Sequence, residues 1–394
     1  MPLADDQHQQ QQQLSFELPT QILPSPLVQH NSGPTASRFR NALTRVQTDP
    51  TTDVEAWQAL LTEVQVCFDS LDIHVPDAET HRKLDWVESI YGCLLHYFPY
   101  SNYVATVAKM LFQSSARVGE EHGPQYGSPT PTRRMMVAQS KLEHLLTLRL
   151  GVDLEFNNVS NSASDGMLVW MVDLWLIYTQ TVIRNAARHA QATLAVEQRA
   201  DYVHERGLKA FQTAAPYAGH VFYKNDVFYQ AYLSFVQQNV TAPLAPAKML
   251  EIRALYQEMV VIPMQGLDSI WTQYEAWERL QSAALAQALV QEYLPKYQHA
   301  RSVFLERLKV NSSNSYISAS SNDAVAELLQ MGRLATKPAS DDDLAEEYQM
   351  LLQWNKCLSF ERTNPCRYVV AGGESMLKIR MLYKIQASVL MRHP

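Results

Sequence analysis

A chain of 394 residues is too long for one ordinary globular core and short enough for one repeat array. Its 46% hydrophobic content is that of a folded protein, and only 13 glycines are present, which favours helix. The 33 basic and 40 acidic side chains leave a net charge of -7, which argues against a chain that grips nucleic acid through its own surface.

Residues 1–50 are polar and Pro-bearing, with a glutamine run from Gln9 to Gln13. They offer too little apolar surface to offset the entropy of ordering, so a disordered Gln/Pro-rich tail is expected. Leu14-Ser15-Phe16-Glu17-Leu18 has the make-up of a short docking motif, although an untethered tail is the simpler reading. The start at Met1-Pro2-Leu3-Ala4-Asp5-Asp6 is no signal peptide.

Helix pairs are expected from residue 51 onward. Asp53 is placed to cap a helix carrying Ala56, Trp57, Leu60, Leu61 and Val64. Its partner runs from Leu84 through Trp86, Ile90, Tyr91, Leu94 and Leu95 to a Phe98-Pro99 stop. A second pair joins Tyr103, Val107 and Leu111 to Leu142, Leu145, Leu146 and Leu150 across a Gly- and Pro-bearing loop at 114–134. A third sets Trp170, Leu174, Trp175 and Tyr178 against Tyr202, Leu208 and Phe211. The apolar run Leu168–Tyr178 is too short to span a bilayer and contains Asp173.

The fourth pair has Tyr229, Tyr232 and Phe235 on its first helix. On its second, Ile252, Leu255, Tyr256, Met259 and Val260 fall at i, i+3, i+4, i+7 and i+8, one helical face. Pro263 is expected to end that helix, because a proline ring blocks continuation. Gly266 and Asp268 suit a turn and a helix start. Leu267, Ile270, Trp271, Tyr274 and Trp277 form the next face. A linker helix and a turn are then expected before a further helix bearing Tyr297, Ala300, Phe304 and Leu308, and the fifth pair is Trp271 with Phe304. A loop is expected near 311–323. The sixth pair sets Trp354 and Phe360 against Leu377, Met381, Leu382, Ile385 and Val389.

Such a helix pair cannot bury its apolar face alone and calls for neighbours of its own kind. Trp271-x-x-Tyr274-x-x-x-Glu278 followed by Ala300-Arg301-x-x-Phe304 resembles the half-a-TPR (HAT) repeat. Arg253–Glu278, with Trp354-Asn355-Lys356-Cys357-Leu358-Ser359-Phe360-Glu361-Arg362-Thr363-Asn364-Pro365 after it, is similar to the central repeats of the large HAT subunit of cleavage stimulation factor, the suppressor of forked family. The resemblance covers roughly residues 51–394 and matches the N-terminal half of that family, with Cys357 where the family usually has Tyr.

The resemblance implies an all-α solenoid of about six HAT pairs, with repeat anchors at Trp57, Trp175, Tyr229, Tyr256, Pro263, Trp271, Tyr274, Glu278, Arg301, Phe304, Trp354, Glu361 and Pro365. It further implies a non-catalytic nuclear scaffold of pre-mRNA 3′-end cleavage and polyadenylation, with the cytoplasm as a second location. Its partners would be protein subunits of that complex, including an RNA-binding subunit, with RNA reached mainly indirectly, and no cofactor is expected. The full-length family is expected to dimerise through a C-terminal array that is missing here. The alternative within the class is a HAT scaffold of U1 snRNP, splicing or ribosomal RNA processing.

A different class rests on Asp341-Asp342-Asp343-Leu344-Ala345-Glu346-Glu347, where Asp342, Asp343 and Glu346 share a helical face, as in all-α enzymes that bind Mg²⁺ and prenyl diphosphates. The simpler reading is a helix start capped by Ser340, with acids at the positive end of the dipole. Gly372-Gly373 lacks the Lys-Ser of a phosphate loop. Arg367, Lys378, Arg380, Lys384 and Arg392 form a modest basic surface, by default a solvated one. The four cysteines, Cys67, Cys93, Cys357 and Cys366, form no metal-ligand spacing and are expected to be reduced in the cytosol or nucleus.

Overall fold

The computed structural model describes residues 22–23, 34–51, 53–71, 78–99, 101, 103–116, 133–152, 168, 170–219, 224–238 and 246–312, together with 345, 348–349, 352, 355–356, 359–363 and 365. The fold is all-α, of the solenoid class built from helix pairs, with no strand among the described residues. The chain divides into one compact unit of Met1–Leu145 and a second that begins at Leu146.

The first unit holds α1 (Pro34–Thr48), α2 (Val54–Asp69), α3 (Ala78–Tyr97), α4 (Tyr103–Ser114) and most of α5 (Arg133–Leu150). Helix α1 corrects the last part of the expected tail, residues 34–48, while 1–21 and 24–33 lie outside the described residues. Phe39, Ala42 and Val46, at i, i+3 and i+7, are buried, and the helix packs mainly on α2. Three apolar residues among polar ones are diluted in any compositional window, yet they make one continuous stripe once the chain is helical. Asp53 caps α2 by accepting from the Ala56 N–H at 3.0 Å. The same carboxylate accepts from Arg45 at 2.6 Å and ties α1 to the start of α2. Trp57 is fully buried, and its indole N–H donates to the Pro50 carbonyl at 2.8 Å. Lys141 and Arg134 of α5 reach Glu88 and Asp85 of α3 at 2.6 and 3.0 Å.

The second unit contains α6 (Val172–Thr193), α7 (Val196–Ala214), α8 (Asn225–Gln237), α9 (Pro246–Met259), α10 (Leu267–Gln281) and α11 (Ala283–Ser312). They pair as α6 with α7, α8 with α9 and α10 with α11, the helices of the third, fourth and fifth expected repeats. Helix α7 runs on into a π turn, Ala215–Gly219. Helix α9 stops at Met259, four residues before Pro263. That proline has no N–H for the Met259 carbonyl, and its ring would collide with it.

Helix α11 corrects the expected linker helix, turn and separate helix. Residues 283–312 form one helix with Pro295 inside it. Both sides of the proline are held on α10, because Tyr293 meets Tyr274 edge-on at 6.2 Å and Tyr297 stacks on Trp271 at 4.6 Å. Tertiary packing here overrides the breaker. The expected loops at 114–134 and 311–323 and the partner helix of the sixth pair lie almost wholly outside the described residues.

Three helices meet at Gly207 of α7. A Cβ there would lie 2.2 Å from Cζ of Phe235 on α8 and 3.0 Å from Cγ1 of Ile183 on α6. Phe235 has little room to retreat, since Phe211 lies at 5.3 Å and the His204 ring is stacked on it at 5.4 Å. Gly207→Ala is therefore expected to destabilise the chain by about 1–3 kcal/mol through overpacking. A denaturation midpoint equal to that of the parent would show that α7 and α8 can separate freely at this point.

Candidate functional site

The junction of the fourth and fifth pairs gathers most of the expected anchors. Tyr256 of α9 lies 5.9 Å from Tyr274 and 5.8 Å from Trp277 of α10. Trp271 lies 5.9 Å from Tyr274 and stacks on Tyr297 of α11. Tyr274, Tyr256 and Trp271 are buried, and Trp277 is half-buried. The aromatic stripe therefore binds three successive helices together, and most of its ring faces are turned inward rather than offered to bases.

A buried ion pair sits across this junction. Arg253 of α9 donates from Nε to Glu278 Oε1 at 2.7 Å and from its terminal nitrogen to Oε2 at 2.9 Å. Glu278 is 0% exposed, and Arg253 keeps one edge near solvent, with its guanidinium 5.5 Å from the Trp277 ring centre. Two parallel N–H···O bonds are the strong, directional form of this contact. Burial tightens it, but only while both partners remain.

The same register recurs one repeat later. Glu278 follows Trp271 by seven residues, and Glu361 follows Trp354 by seven. Glu361 is buried and accepts from Arg307 Nε of α11 at 2.6 Å. By its place in the Arg-x-x-aromatic motif the counterpart of Arg253 is Arg301, with Phe304 matching Tyr256. The structure instead uses Arg307 and leaves Arg301 about half exposed, bound to Asp268 at 2.9 Å. Arg307 lies six residues beyond Arg301, closer to the C-terminal end of α11, and the Arg-x-x-aromatic motif does not reach that far.

The remaining expected anchors are placed as follows. Trp57, Trp175 and Tyr229 are fully buried, and the Tyr229 hydroxyl donates to Glu258 at 2.7 Å. Pro263 is buried in the turn between α9 and α10, and Phe304 is half-buried. The Pro365 carbonyl accepts from His299 Nε2 of α11 at 2.9 Å. Trp354 lies outside the described residues. Asn225 was not legible as an anchor, yet it is buried and its amide lies 3.4 Å from the carbonyls of both Gly219 and Pro263, bridging two repeats. A polar residue three positions before the Phe228-Tyr229 pair is the only signal for it in the sequence.

On the exposed side, Tyr297 donates to Asp268 at 2.5 Å and Arg301 adds a second bond. The Tyr297 hydroxyl, followed by Arg301, holds the Asp268 carboxyl below its usual range. Desolvation, followed by the Asp268 carboxylate, pushes the Tyr297 phenol up to about 12. A depressed carboxyl stabilises the fold fully above the ordinary carboxylate range and loses this as pH falls through its lowered value. A raised phenol stabilises below the ordinary tyrosine range and loses this as pH rises through about 12. Asp268 and Arg301 are each at least half exposed, so the effect is no more than about 1 kcal/mol. Asp268→Asn is expected to flatten the acid limb of the stability curve below about pH 4. An acid limb identical to the parent's would show that the network contributes nothing.

Between α9 and α11 runs an open groove of about 540 Å³, lined by Ala254, Gln257, Glu258, Val261, Tyr293, Lys296 and His299. Its charges are mixed, and Lys296 lies 3.9 Å from the Tyr293 ring centre. Among the described residues no group of three or more His, Cys, Asp or Glu side chains is arranged to hold a metal ion, and no helix is long and apolar enough to cross a membrane. Asp342, Asp343 and Glu346, Gly372-Gly373 and the basic C-terminal residues lie outside the described set.

Comparison with known proteins follows the same residues. The family model of the Suppressor of forked protein (Suf) matches residues 155–393. The chain is 28% identical over 172 residues to Cleavage stimulation factor subunit 77 of Arabidopsis thaliana, a match covering 43% of this chain and 21% of that protein. It is 25% identical over 260 residues to the mRNA 3′-end-processing protein RNA14 of Candida glabrata, covering 63% and 34%. The protein of the same name from Saccharomyces cerevisiae is 26% identical over 216 residues, covering 54% and 29%. The matched stretches thus span about a third or less of the length of these curated relatives.

Proposed function

The chain belongs to the suppressor of forked family, and on that premise we propose that it is a non-catalytic scaffold subunit of the machinery that cleaves and polyadenylates pre-mRNA 3′ ends. The observation that carries this reading is the repeat junction at Arg253–Glu278, which lies inside the matched region and devotes its aromatic and charged side chains to joining helices. Rigid helix-pair arrays offer extended surfaces to other proteins. The names of the relatives, a cleavage stimulation factor subunit and two mRNA 3′-end-processing proteins, point to the process. The partners are protein subunits of that complex, among them an RNA-binding one, and the place of action is the nucleus. With a net charge of -7, RNA is reached mainly through partners.

Affinity capture of the tagged chain from nuclear extract tests this. Recovery of cleavage and polyadenylation subunits is the expected result, with RNase treatment leaving the set unchanged. Recovery of U1 snRNP or ribosomal RNA processing proteins in their place would assign the scaffold to a different assembly.

A further inference from the structure

Two nitrogens compete for the carboxylate of Glu251 on α9. Lys248 Nζ lies 3.0 Å from its Oε2, and Nε2 of His204 on α7 lies 3.2 Å from its Oε1. The two nitrogens are themselves 2.8 Å apart, so one of them must accept from the other. An ammonium has donors only, so Nε2 of His204 accepts from Lys248 and carries no proton of its own. The proton of the neutral ring is then on Nδ1, and the approach of Nε2 to Glu251 is a contact without a donor. In this state Glu251 is paired inside its own helix, three residues from Lys248.

The imidazole is the fixed member of the cluster. It stacks on Phe235 of α8 at 5.4 Å, and Phe235 is wedged against Gly207. Lys248 is the movable one, a flexible arm in the first turn of α9, where a cation meets the positive end of the helix dipole. All three side chains are only partly covered, so a proton can enter and the lysine can leave. The surrounding titratable groups do not supply a rival partner. Asp201, three residues earlier on α7, and Glu205 are exposed. Tyr232, one turn before Phe235 on α8, is held neutral by desolvation, followed by Glu258 and Glu251. His189 of α6 and Arg206 lie against Tyr202, which the helical repeat puts on the far side of α7 from His204.

We propose that Glu251 exchanges partners with proton concentration, held by Lys248 while His204 is neutral and by His204 once it is protonated. A proton from solvent enters at Nε2, and the new N–H donates to Glu251. The cluster then has two cations for one carboxylate, and the ammonium 2.8 Å away is repelled into solvent with its own proton unchanged. Acidification thus trades a bond within α9 for one between α7 and α9, that is, between the third and fourth helix pairs. Histidine is the side chain whose charge changes in the range a cell visits.

Nitrogen NMR of the full chain with labelled histidines provides the first test, with His204→Gln identifying the signal. At about pH 8 the Nδ1–H tautomer is expected in roughly tenfold excess, because a hydrogen bond from a charged donor outweighs the small preference of free imidazole for Nε2–H. Lys248→Met removes that donor and is expected to reverse the tautomer, with Nε2–H now donating to Glu251. Double-mutant cycles by urea unfolding, built from Lys248→Met, His204→Gln and Glu251→Gln, provide the second. The coupling of Lys248 to Glu251 is expected to change the folding equilibrium on the order of threefold at about pH 8 and to vanish at about pH 5.5, between the usual carboxylate and histidine ranges. The coupling of His204 to Glu251 is expected to do the reverse. An Nε2–H tautomer in the parent at the higher pH overturns the proposal. So does one tautomer shared by the parent and Lys248→Met, or a pair of couplings that keep their values on acidification.

Discussion

Glu278→Ala is expected to destabilise the second unit by about 3–5 kcal/mol, one of the two largest effects of any single substitution named for this chain. The carboxylate is 0% exposed and takes two bonds from Arg253. Truncation removes both and leaves a guanidinium that is only 13% exposed without its counter-charge. That solvated edge and the Trp277 ring give Arg253 some relief, which places the value toward the lower end of the range. Replacing both partners by apolar residues, as in Arg253→Met with Glu278→Leu, is expected to be close to neutral, because the expensive species is one buried charge, not the absence of a pair. Urea unfolding of the single and double variants makes the comparison. An alanine variant within about 0.5 kcal/mol of the parent would mean that the junction is solvated and that Arg253 turns outward at no cost.

The second large effect is at Trp175. It is 0% exposed, stacks on Tyr217 at 5.1 Å with an interplanar angle of 12°, and meets Tyr178 edge-on at 5.5 Å. Removing the indole empties a site enclosed by α6 and the π turn after α7, and Trp175→Ala is expected to lose about 3–5 kcal/mol. Trp271→Ala falls at the lower end of that range, because Trp271 is 7% exposed and its stacking partner Tyr297 is only partly covered. Repeat arrays are stabilised by nearest neighbours, so the damage should be local. Hydrogen exchange in Trp175→Ala is expected to rise first in α6 and α7, with α10 and α11 losing less. Uniform loss of protection across the second unit would contradict nearest-neighbour stabilisation.

The aromatic stripes and ion pairs also bear on function. A scaffold needs its helices fixed relative to one another, and the side chains that resembled base-stacking platforms are largely spent on that. Tyr256, Tyr274 and Trp271 face helices, and Glu278 and Glu361 neutralise arginines of the preceding helix. The outward-facing residues carry the differences among such arrays, and they are where partner choice would be written.

The amino-acid sequence by itself determined the helix class and the third, fourth and fifth pairs. Each rests on a helical period within a single helix, and aromatic residues at i, i+3 and i+6, such as Trp271, Tyr274 and Trp277, are visible without knowing any neighbour. That α9 ends ahead of Pro263 was legible for the same reason, since a proline acts on the carbonyl four residues before it; the helix stops at Met259, one residue short of the expected Val260. Tertiary structure alone decided the rest. Residues 34–48 became helical because α2 offered a surface for Phe39, Ala42 and Val46. Pro295 was absorbed into α11 because α10 grips both sides of it. Glu361 took Arg307 in place of Arg301, and Ser89 took Leu23, across 54 and 66 residues. Such pairings depend on which side chains meet in space, and no periodicity along the chain encodes that distance.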